Sequence, residues 1–194
     1  MSVMVKRSLL IVSSVVVAVL LSAVWSWVAL YRFQNPPVSN GPWKTNLAVG
    51  GQNADLYLRA RIAVFGLWAL NSSETVYFAA NTDSAGQPLD PTCTYTITGN
   101  DVDTRWWSVT AYGDFHFIPN PDNRYSFSQT AIVREADSTW TVTLSPKKQG
   151  KNWLPTSAKA GSLGLSFRCY NPSAAFVQHI ETAPLPTITR IVCP

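Results

Sequence analysis

The hydrophobic pattern of the chain begins with one long apolar segment. Residues 8–31 form a run of 24 positions without a charged side chain. A helix of that length extends about 36 Å, enough to cross the hydrocarbon core of a bilayer, which is about 30 Å thick. The run therefore predicts a single transmembrane signal-anchor helix within residues 1–33, which contacts the lipid bilayer through residues 8–31.

The residues at the two ends of this run indicate its orientation. Lys6 and Arg7 precede it, and basic residues remain on the cytoplasmic side of a membrane. Trp25, Trp27 and Tyr31 lie near its end, and such rings favour the membrane–water interface. The pattern predicts a cytoplasmic N-terminus and an exported C-terminal part. A cleaved secretory signal is the alternative, but its apolar region spans about 7–15 residues and ends in a small-x-small site.

The pattern then changes to a stalk and a short helix. Residues 34–53 are rich in Pro, Gly and Asn, which predicts an extended stalk. Asp55 stands at the N-cap position before apolar residues that recur at helical spacing. We therefore expect a helix over about 55–70, at the start of a domain that spans residues 54–194.

Alternation typical of β-strands follows the helix. Short runs rich in Thr, Val, Tyr and Trp are separated by Gly, Pro, Asn and Asp. They are ETVYFAA, CTYTITG, RWWSVTAYG, RYSFSQTAIV, TWTVTLS, LGLSFRCY and TITRIVC. Short strands at this spacing predict a mainly β fold, an antiparallel sandwich or barrel with one N-terminal helix.

The three cysteines would lie in an oxidising compartment in this topology. Leu165, Phe167 and Cys169 alternate on one apolar side of a strand, which favours a buried thiol for Cys169. Cys93 and Cys193 are then the favoured disulfide pair, closing a loop of about 100 residues. Three pairings remain possible from the sequence.

Charge and motifs exclude several classes of function. Without Lys6 and Arg7, 13 basic and 11 acidic residues remain, and the densest basic cluster, residues 147–151, is typical of a solvated turn. We therefore expect no nucleic-acid partner. His116 and His179 have no carboxylate or cysteine at metal-ligand spacing. Because the chain also lacks a nucleophile elbow, a phosphate loop and a dinucleotide fingerprint, we predict no metal, no cofactor and no catalytic residue.

Four segments combine polar and aromatic residues: RWWSVTAY at 105–112, NPDNRYS at 120–126, NWLP at 152–155 and RCYNP at 168–172. Their order and content, with LYLRAR and ETVYF upstream, resemble the uncharacterised bacterial family known as domain of unknown function 1214. The resemblance covers nearly all of the exported part and implies a jelly-roll-like antiparallel β-sandwich. It also implies that this domain follows another uncharacterised domain in longer relatives, and it brings no established catalytic residues.

Strand alternation groups some of these polar and aromatic side chains. Arg168 and Tyr170 share one face of their strand, and Trp106 and Tyr112 share a face of theirs. Such side chains can line a shallow cleft and donate to a carboxylate or a sugar-like ligand. The alternative is a structural role in turns and loop contacts. The full candidate set for ligand or partner contact is Trp106, Tyr112, Arg124, Tyr125, Asn152, Trp153, Arg168 and Tyr170.

Two functions are consistent with these features. The leading hypothesis is a membrane-tethered periplasmic binding or accessory domain at a bacterial inner membrane, a contact subunit of a larger membrane assembly. The eight Trp residues of the chain suit this role because Trp is enriched at interaction hot spots. The alternative is an enzyme or ligand-binding protein that uses the polar-aromatic cleft for a small polar or lipid-derived molecule.

Overall fold

The protein consists of a long apolar helix followed by a sandwich of two β-sheets. The computed structural model describes residues 3–32, 37–65, 69–114 and 116–194. Helix α1 (Val3–Arg32) contains 25 residues, Lys6–Leu30, with a mean hydropathy of 2.5, which makes it long and apolar enough to cross a membrane.

The sandwich contains one larger and one smaller sheet. Its strands within the described residues are β1 (Val38–Asn40), β2 (Trp43–Thr45), β3 (Thr75–Ala80), β4 (Thr94–Gly99), β5 (Thr104–Gly113), β6 (His116–Phe117), β7 (Ser126–Ser128), β8 (Trp140–Ser145), β9 (Trp153–Pro155), β10 (Gly164–Pro172) and β11 (Thr187–Val192). The larger sheet has the order β1-β2-β3-β10-β5-β6, with β7 also paired to β5, and the smaller has the order β11-β4-β8-β9. Every pair is antiparallel except β8 with β9. Three short helical segments complete the domain: α2 (Leu56–Phe65), a 3-10 turn (Ala158–Ala160) and α3 (Ala174–Gln178).

The core lies between the two sheets. The chain passes back and forth between them, as in a jelly roll, and alternation turns every second side chain inward. Trp107 of β5 stacks on Trp140 of β8 with ring centroids 4.5 Å apart, and Phe167 of β10 lies 5.6 Å from Trp107. All three side chains are fully buried. The prediction of a mainly β, antiparallel sandwich preceded by an apolar helix is confirmed.

All seven predicted β-runs contain a strand, but one of them is mostly turn. In RYSFSQTAIV only Ser126–Ser128 is extended, because the backbone N–H groups of Ala131 and Ile132 both donate to the carbonyl of Ser128. Strands β1, β2, β6 and β9 were not predicted. Each has only two or three residues, too few for a visible alternation.

Helix α2 begins where the sequence predicts and is shorter than expected. The backbone N–H of Leu58 donates to Oδ1 of Asp55 at 2.9 Å, which confirms Asp55 as the N-cap. Residues 66–68 of the predicted helix lie outside the described residues. Leu70 is not helical, and its N–H donates to the hydroxyl of Tyr77 at 3.0 Å instead of to a helical carbonyl.

Much of the segment predicted as a stalk belongs to the sandwich, which corrects that expectation for residues 38–45. Strands β1 and β2 form a hairpin that turns at Gly41, where φ is +57°, and Lys44 pairs with Ala79 of β3. Trp43 is 1% exposed, and its Nε1 donates to the carbonyl of Pro186 at 2.7 Å. The Pro and Gly residues that indicated a stalk therefore shape a turn, while residues 34–36 lie outside the described part of the chain.

The cysteine prediction is confirmed. Cys93 and Cys193 form a disulfide, and Cys169 is a free, buried thiol on the inner side of β10. Burial raises the pKa of the Cys169 thiol well above its ordinary value, so the group stays protonated at neutral pH and packs as an apolar side chain. The disulfide joins the C-terminus to the segment just before β4.

Replacing both Cys93 and Cys193 with Ser should lower the free energy of unfolding by about 4–5 kcal/mol, because the bond closes a loop with a sequence separation of 100. Denaturant titration in detergent, followed by Trp fluorescence, measures the loss. Cys169→Ala is the matched control that removes a sulfur without a cross-link. Wild-type protein whose unfolding midpoint does not move on addition of a thiol reductant would contradict the prediction.

Candidate contact face and cleft

The larger sheet presents a polar and aromatic surface on the side away from the core. Cross-strand register places Arg168 of β10 directly between Tyr77 of β3 and Ser108 of β5, and Tyr170 beside Trp106. We call this surface the outer face. It consists of Tyr77, Trp106, Ser108, Thr110, Tyr112, Phe117, Ser166, Arg168 and Tyr170.

Arg168 lies at the centre of the outer face and is held there by two neighbours on β5. Its guanidinium donates to Oγ1 of Thr110 at 3.1 Å and to the hydroxyl of Tyr112. The guanidinium carbon also lies 5.8 Å from the centre of the Tyr112 ring. Arg168 and Tyr112, both predicted contact residues, are therefore brought together and oriented by the sheet itself.

An aromatic ladder continues from this point across the sheet edge. The Tyr112 and Phe117 rings are stacked with centroids 5.4 Å apart, and the Phe117 and Tyr125 rings are 4.9 Å apart. Phe117 is 53% exposed although it is flanked by two rings. The structure thus groups Tyr112 and Tyr125 with a residue that the sequence analysis did not single out.

A second aromatic pair lies further along the same two strands. Trp106 and Tyr170 have ring centroids 5.0 Å apart, and Trp106 Nε1 donates to Oγ1 of Thr130 at 3.4 Å. Both rings are half-buried. Five of the eight predicted contact residues, namely Trp106, Tyr112, Tyr125, Arg168 and Tyr170, therefore lie on or beside the outer face.

The remaining three predicted contact residues lie elsewhere. Arg124 places its guanidinium 4.9 Å from the centre of the Phe127 ring, which is part of the core. Asn152 uses its amide to join the loop after β7 to strand β8: Nδ2 donates to the carbonyls of Val133 and Thr141, and Oδ1 accepts from the N–H of Val133. Trp153 belongs to the smaller sheet, is buried, and donates from Nε1 to Ser145. The contacts of Asn152 and Trp153 are structural.

A cleft opens beside the outer face, between helix α2 and strands β2 and β3. Its volume is about 470 Å³, within the range of ligand pockets in proteins. Apolar side chains such as Leu58 and Ile62 line one part, and Lys44, Arg61 and Tyr77 contribute polar groups. No Asp or Glu is among the described residues that line the cleft, so its charge is positive.

No sequence pattern predicts this cleft, because its walls come from separate segments of the chain. Lys44 belongs to the segment predicted as a stalk, and Leu58 and Ile62 come from the helix predicted over about 55–70. Phe117 was also missed, since its strand β6 has two residues. The signal that could have indicated Phe117 is its large apolar side chain in the otherwise mostly polar segment between β5 and β7.

Within the described residues, no three His, Cys, Asp or Glu side chains are grouped in a way that could hold a metal ion. Asp101 accepts from Trp107 Nε1 at 2.7 Å and forms an ion pair with Arg134 at 3.0 Å. Asp103 accepts from the Ser173 hydroxyl. Both carboxylates therefore hold loops in place.

Comparison with known structures finds similarity to two solved bacterial proteins. The VPA0106 protein from Vibrio parahaemolyticus is 25% identical, with a TM-score of 0.59, over 72% of this chain and 36% of that one. An uncharacterized protein from Burkholderia cenocepacia is 16% identical, with a TM-score of 0.42, over 62% of this chain and 30% of that one. The chain thus spans about a third of the length of each. No curated protein matches it.

The sequence of the chain also matches a model of a protein family. It is described as a protein of unknown function, DUF1214, and it matches residues 74–174 of the 194 in the chain. The match begins just before β3 and runs through β10, so it includes the strands that carry the outer face. The chain therefore belongs to the DUF1214 family.

Proposed function

We propose that the protein is a membrane-tethered binding or accessory domain on the periplasmic side of a bacterial inner membrane, where it serves as a contact subunit of a larger membrane assembly. Helix α1 is the anchor, with its N-terminus in the cytoplasm. The outer face of the larger sheet is the contact surface for a protein partner.

The composition of α1 supports the anchor. Its described side chains are exposed over almost the whole length, so the sandwich does not cover them. Lys6 and Arg7 precede the apolar part, and Trp25 and Trp27 lie near its other end. This order matches the positive-inside rule and the aromatic belt. The disulfide is in keeping with an oxidising compartment on the exported side.

The main observation that supports the outer face as a contact surface is the exposed Phe117 ring between Tyr112 and Tyr125. Large rings held in place by neighbours lose little conformational freedom on binding, and aromatic residues together with Arg are enriched at protein interfaces. Arg168 is next to this ladder and already oriented. A partner that covers Phe117 would therefore bury an apolar surface beside a fixed cation.

Phe117→Asp should abolish recovery of the partner, because it removes the exposed ring at the centre of the ladder and puts a hydrated carboxylate where the partner would bury an apolar surface. The test is cross-linking in native membranes, purification in mild detergent and mass spectrometry. Val133→Asp is the matched control, since Val133 is also an exposed apolar residue, at 47%, outside the outer face. Recovery of the wild-type protein as a monomer without a co-purifying subunit would contradict the proposal, as would equal recovery with both variants.

The cleft favours a second candidate function, the binding of a small polar or lipid-derived molecule with an anionic group. Lys44 carries this proposal. It is exposed, lines the cleft, and its ammonium group has no hydrogen bond or ion pair with the other described residues. An apolar wall beside a cation suits a ligand that has both a tail and a negatively charged head.

Lys44→Glu should weaken binding of a short-chain phosphatidic acid at least about tenfold, which corresponds to about 1.4 kcal/mol. Isothermal titration with the detergent-solubilised full chain measures this, and phosphatidylcholine with the same chains is the neutral comparison. Lys151→Glu, at an exposed lysine in the 147–151 turn, makes the same charge change away from the cleft. Equal affinity for both lipids, or an equal loss in both variants, would contradict this function.

A further inference from the structure

Helix α2 exposes an apolar surface that the sandwich does not cover. At about 100° per residue, Leu56, Ala60, Ala63 and Val64 fall within an arc of about 100°. All four are exposed, with Leu56 at 82% and Val64 at 61%. We call these four residues the α2 arc. On the opposite side of the helix, Leu58 is buried against the domain.

Basic residues flank the α2 arc on both sides. Arg59 lies about 40° beyond one edge of the arc and Arg61 about 60° beyond the other, and the helix has no acidic residue. Arg59 is fixed beside the arc by hydrogen bonds from its guanidinium to the carbonyls of Gln52 and Ala54. The opposite side of α2 is also apolar, so a membrane contact would depend on the exposed arc alone: its apolar side chains can enter the headgroup region of a membrane while the guanidinium group of Arg59 remains in water.

The position of α2 in the chain brings it close to the bilayer. Helices α1 and α2 are in contact. Among the described side chains of α1, Ala29 is the buried one, so the covered part of α1 is its C-terminal end, next to Trp25 and Trp27. That end is where the anchor leaves the hydrocarbon core. The exposed arc is therefore beside the membrane–water interface.

We propose that α2 lies flat on the outer leaflet as a second membrane contact, with the α2 arc in the acyl region and Arg59 beside it among anionic headgroups. This inference rests on the proposed role of α1 as a membrane anchor. The occupant of the arc is the lipid bilayer. The Leu56 and Val64 side chains now expose apolar surface to water. Moving that surface into lipid would lower the free energy of the protein.

The geometry also relates the membrane to the cleft. Leu58 and Ile62 line the cleft from the side of α2 that is opposite the arc. A helix with its side chains is about 10 Å across, so α2 would separate the cleft from the lipid by about that distance. The cleft entrance would then lie close to the headgroups and to any amphiphile leaving them.

Site-directed spin labelling of the full chain in liposomes of phosphatidylcholine and phosphatidylglycerol tests the contact. Single labels are introduced at Leu56→Cys and Val64→Cys, with Ile191→Cys, 57% exposed on β11, as the matched control. A label at Val16→Cys reports on the anchor. The native cysteines do not interfere under non-reducing conditions, because one pair is a disulfide and the third is buried.

The measured quantity is the ratio of collision rates with oxygen, which dissolves in lipid, and with a water-soluble nickel complex. We expect this ratio to be several-fold higher at positions 56 and 64 than at 191. A low ratio at 56 and 64 with a high ratio at 16 would overturn the α2 contact and leave the anchor intact. Low rates with both reagents at 56 and 64 would also overturn it, since a protein surface would then cover the arc. A low ratio at 16 would overturn the anchor itself.

Discussion

The stack of Trp107 on Trp140 joins the two sheets, and the outer face depends on it. Trp107 comes from β5 and Trp140 from β8, so their contact at 4.5 Å spans the sandwich. The indole N–H of Trp107 donates a hydrogen bond to Asp101, so the one polar atom of this buried ring has a partner at the edge of the core. Because successive side chains of a strand point to opposite sides, fixing Trp107 inward fixes Trp106 outward. The same argument places Arg168 outside once Phe167 is packed inside.

Alternation explains why much of the fold could be predicted from the sequence. The inward set of β10, ending at Cys169, is apolar and the outward set is polar, so both the strand and the buried thiol follow from one period-2 pattern. The hairpin of β1 and β2 has no such pattern. Trp43 owes its burial to a hydrogen bond with Pro186, 143 residues later, and to ring packing on Phe167. Local composition indicated a stalk because the partners that bury Trp43 are distant in sequence.

The candidate site likewise contains residues that could be predicted from strand alternation and residues that could not. Arg168 and Tyr112 could both be predicted as outward-facing positions of regular strands. Their hydrogen bond could not, because the register pairs Arg168 with Ser108, and the Arg168 side chain extends along the sheet to reach Tyr112. Asn152 has a similar polar-aromatic context but occurs before a three-residue strand, where its amide replaces missing backbone partners of Val133 and Thr141. A motif does not distinguish these two uses of a polar side chain. The cleft was outside the reach of pattern analysis altogether, because three non-adjacent segments form its walls.

A membrane contact at α2 would change what the anchor can do. A single transmembrane helix restricts a domain to the membrane surface but lets it rotate about the helix axis. A second contact, on a helix that also touches α1, would remove that rotation. The direction in which Phe117 and Arg168 face would then be set relative to the bilayer, so that only a subunit on one side could reach them. Restriction of this kind raises the effective concentration of a partner held in the same membrane without any increase in the intrinsic affinity of the face. A modest surface, with one exposed ring at its centre, would then be sufficient for a lasting contact.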